Sequence, residues 1–449
     1  MMRWVAFGAM VALAGACASL DPGPPAPQRD PPTDHAEPPS VVSRPAPACP
    51  ETPGAAWPGA APGPAGLVRA VRGIRGEAGH LAQTLHDGRQ LRLRFLGAHV
   101  FDLLDKVWHE GGSTEARRRR LICAVLNDAA ARGVAVLRVW GTLKRTGSSE
   151  EIARAGQMLA LVLDENARRS HPLRFIVPLL NHQAGYGAPD PSVSLDDQPA
   201  ASPWHARALY LRSTWRQPGI GQLSERLASY RRIPAIAGSR YVLAWELVNE
   251  LDTFRHLGGG SFAGSEATQL RDHFIVPALT ELATRFPQPI AIGDLRGNLG
   301  GYERFATTTI AALPELVRAR LLWTSHVYAE RGKPPSQFMS KLGVDLAMTR
   351  RLGMPFLLGE LGEHVPGAEA RFCAQAPRHD VAALLAAVRG RGVEAAVFWG
   401  EGRCGLEVEA ATGWRVNLGA GADSAEVGTD DDATHRLLGD TRRRWAGAR

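Results

Sequence analysis

The chain has 449 residues, a net charge of +7 and a pI of about 9.4. With 45% hydrophobic and 22% charged residues it is neither a disordered chain nor a membrane bundle, and its length excludes a single small domain but suits one large barrel with added segments. The positive charge is mostly arginine spread along the chain. Its densest run, Arg117–Arg120, has no interleaved aromatics, so a solvated helix face explains it and no nucleic-acid partner is expected.

At the N-terminus, Arg3 precedes the short apolar run "WVAFGAMVALAGA", which is too short for a convincing membrane span. It ends on Ala14-Gly15-Ala16-Cys17, small residues before a cysteine as in a bacterial lipoprotein processing site. Residues 1–17 are therefore expected to be a signal peptide with Cys17 lipidated. Ordinary cleavage at "ACA-S" is the alternative. Either route predicts an extracytoplasmic protein, on the cell envelope or secreted, whose one membrane contact is an N-terminal lipid anchor. Residues 18–66 form a Pro-rich tether: 15 of the 32 prolines fall between Asp21 and Pro64, a composition with little to bury. Of the remaining cysteines, Cys49 lies in the tether and Cys123 reads as a small buried thiol in a helix. Cys373 and Cys404 sit in two late loops where they could pair. No metal-ligand spacing is present.

Order is expected from residue 67 onward as one catalytic domain, 67–449. Asp87-Gly88 signals a hairpin turn before the first buried strand. Apolar runs then recur at 94–101, 134–141, 174–182, 241–250, 289–297, 321–328, 355–362 and 395–402. Helical patterns separate them at 114–131, 149–169, 265–285, 335–352 and 379–390. Near-continuous apolar strands alternating with helices mean a parallel sheet covered by helices. Eight such units predict an α/β fold, a (β/α)8 TIM barrel. An open doubly wound sheet competes, but no Gly-rich phosphate loop follows the first strand.

The strand ends carry polar and aromatic side chains: His99, Arg138 and Trp140, Asn181 and His182, Asn249 and Glu250, Asp294 and Arg296, His326 and Tyr328, Glu360, and Trp399. In a barrel these converge on the C-terminal mouth. Glu250 and Glu360 would face each other there. Two facing carboxyl groups suffice for glycosidic cleavage, one protonated to donate to the leaving oxygen and one ionised to attack or to activate water. Arg138 could hold one of them ionised, and His326 and Tyr328 could orient the pair. Asn249 could hold a sugar hydroxyl. Trp140 and Trp399 offer faces for a sugar ring, with His99 and His182 as further substrate contacts. Asp294 and Arg296 read as an ion pair within their strand.

Arg138 in "LRVWG", Asn249-Glu250 in "WELVNE", His326 and Tyr328 in "SHVY", Glu360 in "LLGELG" and Trp399 in "VFWG" together resemble glycoside hydrolase family 5 over residues 85–402. The resemblance implies Glu250 as acid/base, Glu360 as nucleophile, a covalent glycosyl intermediate and net retention. "FLGAHV", "LRVWG" and "AWELVNE" are most similar to its endo-β-1,4-mannanase branch, although His99 stands where that branch usually has Asn. A retaining β-glycosidase acting on β-1,4-mannan is thus the first expectation. A β-1,4-glucanase or a non-catalytic carbohydrate-binding lipoprotein is the alternative. Neither a cofactor nor a metal is implied, the expected partner is a carbohydrate, and a monomer is expected.

Overall fold

In the computed structural model, the described residues are 66–74, 76–84, 90–100, 102–131, 134–143, 148–181, 214–216, 223–252, 262, 264–296, 301–330, 339–364, 386–398, 406–409 and 415–418. The signal segment with Cys17, most of the tether, and His182, Trp399, Cys373 and Cys404 lie outside them. Among the described residues no helix is long and apolar enough to cross a membrane.

A small antiparallel sheet comes first, β1 (Val68–Val71), β2 (His80–Thr84) and β3 (Gln90–Arg92). β2 and β3 flank the Asp87-Gly88 signal. The barrel strands follow: β4 (Phe95–His99), β5 (Val136–Arg138), β6 (Arg174–Leu180) and β7 (Val242–Val248), which resumes after Asn249 as β8 (Glu250–Asp252). Next come β9 (Ile290–Ala291), resuming as β10 (Asp294–Arg296), then β11 (Leu321–Glu330), β12 (Phe356–His364) and β13 (Ala395–Phe398). β4, β5, β6, β7, β9, β11, β12 and β13 pair in parallel and close into a barrel. The doubly wound alternative is excluded. β14 (Leu406–Glu409) and β15 (Arg415–Leu418) add an antiparallel hairpin.

The covering helices follow their local chemistry. Ser148 caps the helix Ser149–Ala167 in a capping box with Glu151, and Ile152, Ala155, Leu159, Val162 and Leu163 form its buried face. The stretch expected as one helix over 265–285 is helical throughout, but Leu270–Ile275 is wound as a π-helix. Pro277, just beyond, has no N–H to give the preceding turn, which widens. The arginine run is only half solvated. Arg118 lies over the Trp108 ring, 4.6 Å from its centroid, and Arg119 pairs with Glu115, Asp164 and Glu165 at 2.7 to 3.0 Å. Cys123 is disulfide-bonded rather than a free thiol.

Two apolar layers hold the barrel. The larger fills the space between strands and helices. The smaller lies inside the barrel, where Phe95, Val136, Ile176, Ala244, Leu322, Leu357 and Val397 meet, closed from below by Val68 and Leu81 of the small sheet and by Leu93 just after it. Each such side chain, taken out of water, contributes roughly 1.5–3 kcal/mol. That layer is the floor on which the polar end of the barrel stands.

Candidate active site

Side chains alternate along a strand, so residues two apart share a face. On β5 the inward positions are Val136, in the apolar floor, and then Arg138. Arg138 is fully buried, and its guanidinium organises everything around it. Nε donates to Glu246 Oε2 at 2.7 Å, Nη1 to Glu360 Oε1 at 2.7 Å, and Nη2 to Asn249 Oδ1 at 2.6 Å. Nη1 also lies 2.9 Å from His99 Nε2. Arginine can only donate, so His99 accepts there and is the neutral tautomer with its proton on Nδ1. Burial, then the charges of Arg138 and His326, hold His99 well below the usual histidine range, in keeping with that tautomer.

Glu360 owes its position to an irregularity. Along β11 and β12 the register passes from Ser325–Leu358 directly to His326–Glu360, leaving Gly359 as an extra residue on β12. Leu358 packs outward against the helices, and strict alternation would send Glu360 outward too. The bulge turns it in, opposite His326. A side chain at Gly359 would place Cβ 3.0 Å from His326 Nε2 and 3.5 Å from Glu246 Oε1, so the glycine gives the imidazole its room.

Glu250 arrives through a second break. β7 stops at Val248, the Asn249 N–H donates to Leu180 O at 2.7 Å, and Glu250 begins β8, paired with Asp294. Gly293 permits this step. Its φ is +102°, and a Cβ there would lie 1.5 Å from Val248 O, so no other residue fits.

His326 stands between the two carboxyl groups. Its Nδ1 is 2.9 Å from Glu250 Oε1 and 3.3 Å from Glu360 Oε2. Both are acceptor positions, so Nδ1 carries the hydrogen. Tyr328 donates its hydroxyl to Glu360 Oε2. One ligand atom each from Glu250, His326 and Glu360 all lie within 4.8 Å of one another. Among the described residues this is the one His/Cys/Asp/Glu group spaced to close on a metal ion, and a cation would have to displace the Nδ1 hydrogen bonds to do so.

Burial pushes the Glu360 carboxyl up to about 8, with the Glu250 charge raising it further, against the pull of Arg138 and Tyr328. Two carboxyl groups this close give up their protons in steps that belong to the pair. The donors decide where the remaining proton sits. Arg138 and Tyr328 both aim at Glu360, favouring its ionised form and leaving the proton to Glu250.

The structure thus gathers Arg138, Asn249, Glu250, His326, Tyr328 and Glu360 into one cluster. His99 and Trp140 stand behind Arg138. The Trp140 ring meets His99 edge-on at 4.8 Å, lies 5.0 Å from the Arg138 guanidinium carbon and is 2% exposed. Its face is turned to these groups, not open as a sugar platform. Asp294 takes its cation from Lys341 of the helix Ser340–Leu352, at 2.7 Å. Sequence reasoning missed Glu246. It is fully buried, its other oxygen has no hydrogen-bond partner among the described residues, and burial raises its carboxyl. The signal was present: a glutamate between Trp245 and Leu247 in the middle of an apolar strand requires a buried cation.

Fold and site together define a (β/α)8 barrel with a pair of buried glutamates at the C-terminal ends of its strands. The chain is similar to the endo-β-1,4-mannanase from Thermotoga petrophila, with 16% identity, a TM-score of 0.48, and coverage of 79% of this chain and 77% of that one. It is also similar to the catalytic domain of a Thermobifida fusca endoglucanase (12%, TM-score 0.49, 83% and 97%) and to the Rhizomucor miehei endo-1,4-β-mannanase (12%, TM-score 0.45, 82% and 99%). No family model and no curated protein matches the sequence.

Proposed function

We propose that the protein is a retaining β-glycoside hydrolase, with β-1,4-mannan as its first substrate class and β-1,4-glucan as its second. The observation that carries this reading is the pairing of Glu250 and Glu360 across His326, with one carboxylate oxygen of each within 4.8 Å of the other. A separation of about 5–5.5 Å suits direct attack by one carboxylate, whereas inversion needs roughly 6.5–9.5 Å to admit a water. Glu360, held by Arg138 and Tyr328, attacks the anomeric carbon. Glu250 gives its proton to the leaving oxygen. Glu250 then takes a proton from water as that water attacks the glycosyl ester on Glu360, and the enzyme is restored. The preference for mannan rests on the motifs "FLGAHV", "LRVWG" and "AWELVNE". The segment from Arg3 to Cys17 supports action outside the cytoplasm, at the cell surface.

The test is sugar release by the full chain from β-mannan, β-glucan and xylan, beside Glu360→Ala. Release by the native protein and none by the variant supports the reading. Binding of a polymer by both, with release by neither, replaces it with a non-catalytic carbohydrate-binding protein.

A further inference from the structure

Behind the carboxyl pair lies a second, largely buried ionic group that bond cleavage does not use, with the Lys341 side chain 19% exposed and its two carboxylates 2% or less. Lys341, in the first turn of the helix Ser340–Leu352, sets Nζ 2.7 Å from Asp294 Oδ1, 2.9 Å from Ser325 Oγ and 2.9 Å from Asp345 Oδ2. An ammonium has three hydrogens, and all three are directed. Asp345 is fixed in turn. Its Oδ1 accepts from the Tyr302 hydroxyl at 2.5 Å and from Trp323 Nε1 at 2.9 Å.

Two of the Lys341 partners adjoin the acid/base. Asp294 is the register partner of Glu250 in the β8–β10 pair, and its N–H donates to Asn249 O at 3.1 Å. Ser325 immediately precedes His326, the histidine that bonds Glu250. One ammonium therefore ties together the two strand ends that carry Glu250 and its histidine. Stability alone is a poor reason for such a group, since well-packed apolar side chains of similar volume often serve as well as a buried ion pair.

We infer that Lys341 is a positioning residue for the proton-donating half of the site, holding Glu250 and His326 in place through Asp294 and Ser325. This rests on the proposed function. Removing the ammonium lets the two strand ends shift, and a displacement of about 1 Å in a reacting group is worth about 10²-fold in rate. The loss falls on proton donation, while Glu360, held from the other side by Arg138 and Tyr328, keeps its attack.

The experiment is steady-state kinetics on aryl β-glycosides of graded leaving-group acidity, made on the sugar the native protein accepts. A dinitrophenyl leaving group departs without a proton, and a poor phenol requires one. Lys341→Met is expected to lose about 10²-fold in kcat/KM on the poor phenol and little on the dinitrophenyl glycoside. Ser325→Ala removes one hydrogen bond and leaves both ion pairs, and its loss is smaller with the same leaving-group dependence. It decides the question where Lys341→Met does not fold, as circular dichroism would report. Equal losses across the series, or no loss in Ser325→Ala, overturn the inference. Glu250→Ala serves as the control. If the native protein hydrolyses the series and Glu250→Ala behaves alike on every glycoside, Glu250 is not the proton donor and the inference falls; no hydrolysis by the native protein overturns the hydrolase reading itself.

Discussion

Gly359 and His326 touch as closely as the absence of a side chain allows: a Cβ on Gly359 would stand 3.0 Å from His326 Nε2 and 3.3 Å from its Cδ2. The glycine is also the extra residue that turns Glu360 into the barrel. Gly359→Ala is therefore expected to push the imidazole by a few tenths of an ångström and to loosen its bonds to both carboxyl groups. The expected loss in kcat is about tenfold to a hundredfold, with the barrel still folded. Steady-state kinetics beside a thermal melt checks this. Unchanged kcat would remove the bulge from the account of the site.

Arg138 bridges Glu246 and Glu360 in a region with no water-exposed surface, all three groups being 3% exposed or less. Deleting the shared cation strands two buried carboxyl groups. Arg138→Met is expected to destabilise the fold by about 3–5 kcal/mol. Urea unfolding followed by circular dichroism measures it. A change below about 1 kcal/mol would mean that the carboxyl groups find other partners.

The Glu250–Glu360 pair also sets a pH dependence of stability. Burial and the charge of the neighbouring carboxyl hold one proton on the pair up to about 8, against a usual 4.5, so between those limits the unfolded chain gives up a proton that the folded chain retains. Unfolding is thereby favoured as pH rises from 4.5 towards 8, and the penalty is absent below 4.5. Glu360→Gln removes the titration. Its melting temperature is expected to exceed that of the native protein at pH 8 by more than at pH 4. An equal difference at both pH values would contradict the raised carboxyl.

The Glu250 charge is one of the causes that raise Glu360. Glu250→Gln removes that charge and keeps the shape, so the one remaining carboxyl ionises at lower pH and the loss of stability between pH 4.5 and 8 shrinks. Thermal melts of Glu250→Gln and the native protein across that range read this directly. An unchanged pH dependence would show that the two groups titrate independently.

Much of the barrel was legible because each strand is a local object. All eight apolar runs became barrel strands, and the polar residues at their ends were read as converging groups for the same reason. The helix Tyr302–Ala312 was not legible, since Thr307, Thr308 and Thr309 in a row depress helix propensity and mask its buried face. Alternation alone sends Glu360 outward. Its true direction depends on a register shift between β11 and β12, which only the paired strands reveal. Asp294 looked like the partner of Arg296, whose side chain lies outside the described residues, and the structure adds a second cation, Lys341, 47 residues along the chain. Glu246 was hidden by its own strand, because in "AWELVNE" the eye goes to the exposed-looking pair at the end. Long-range pairing decided the direction of Glu360 and the cation at Asp294, and no local pattern encodes it.

Cleavage of a β-glycosidic bond with retention by Glu250 and Glu360, as proposed, is tested most directly by proton NMR of the first product formed from the preferred polymer, before mutarotation mixes the anomers. The β-anomer is expected first, and Glu360→Ala is expected to yield none. Appearance of the α-anomer first would contradict the double displacement, and equal release by Glu360→Ala would remove Glu360 from the chemistry.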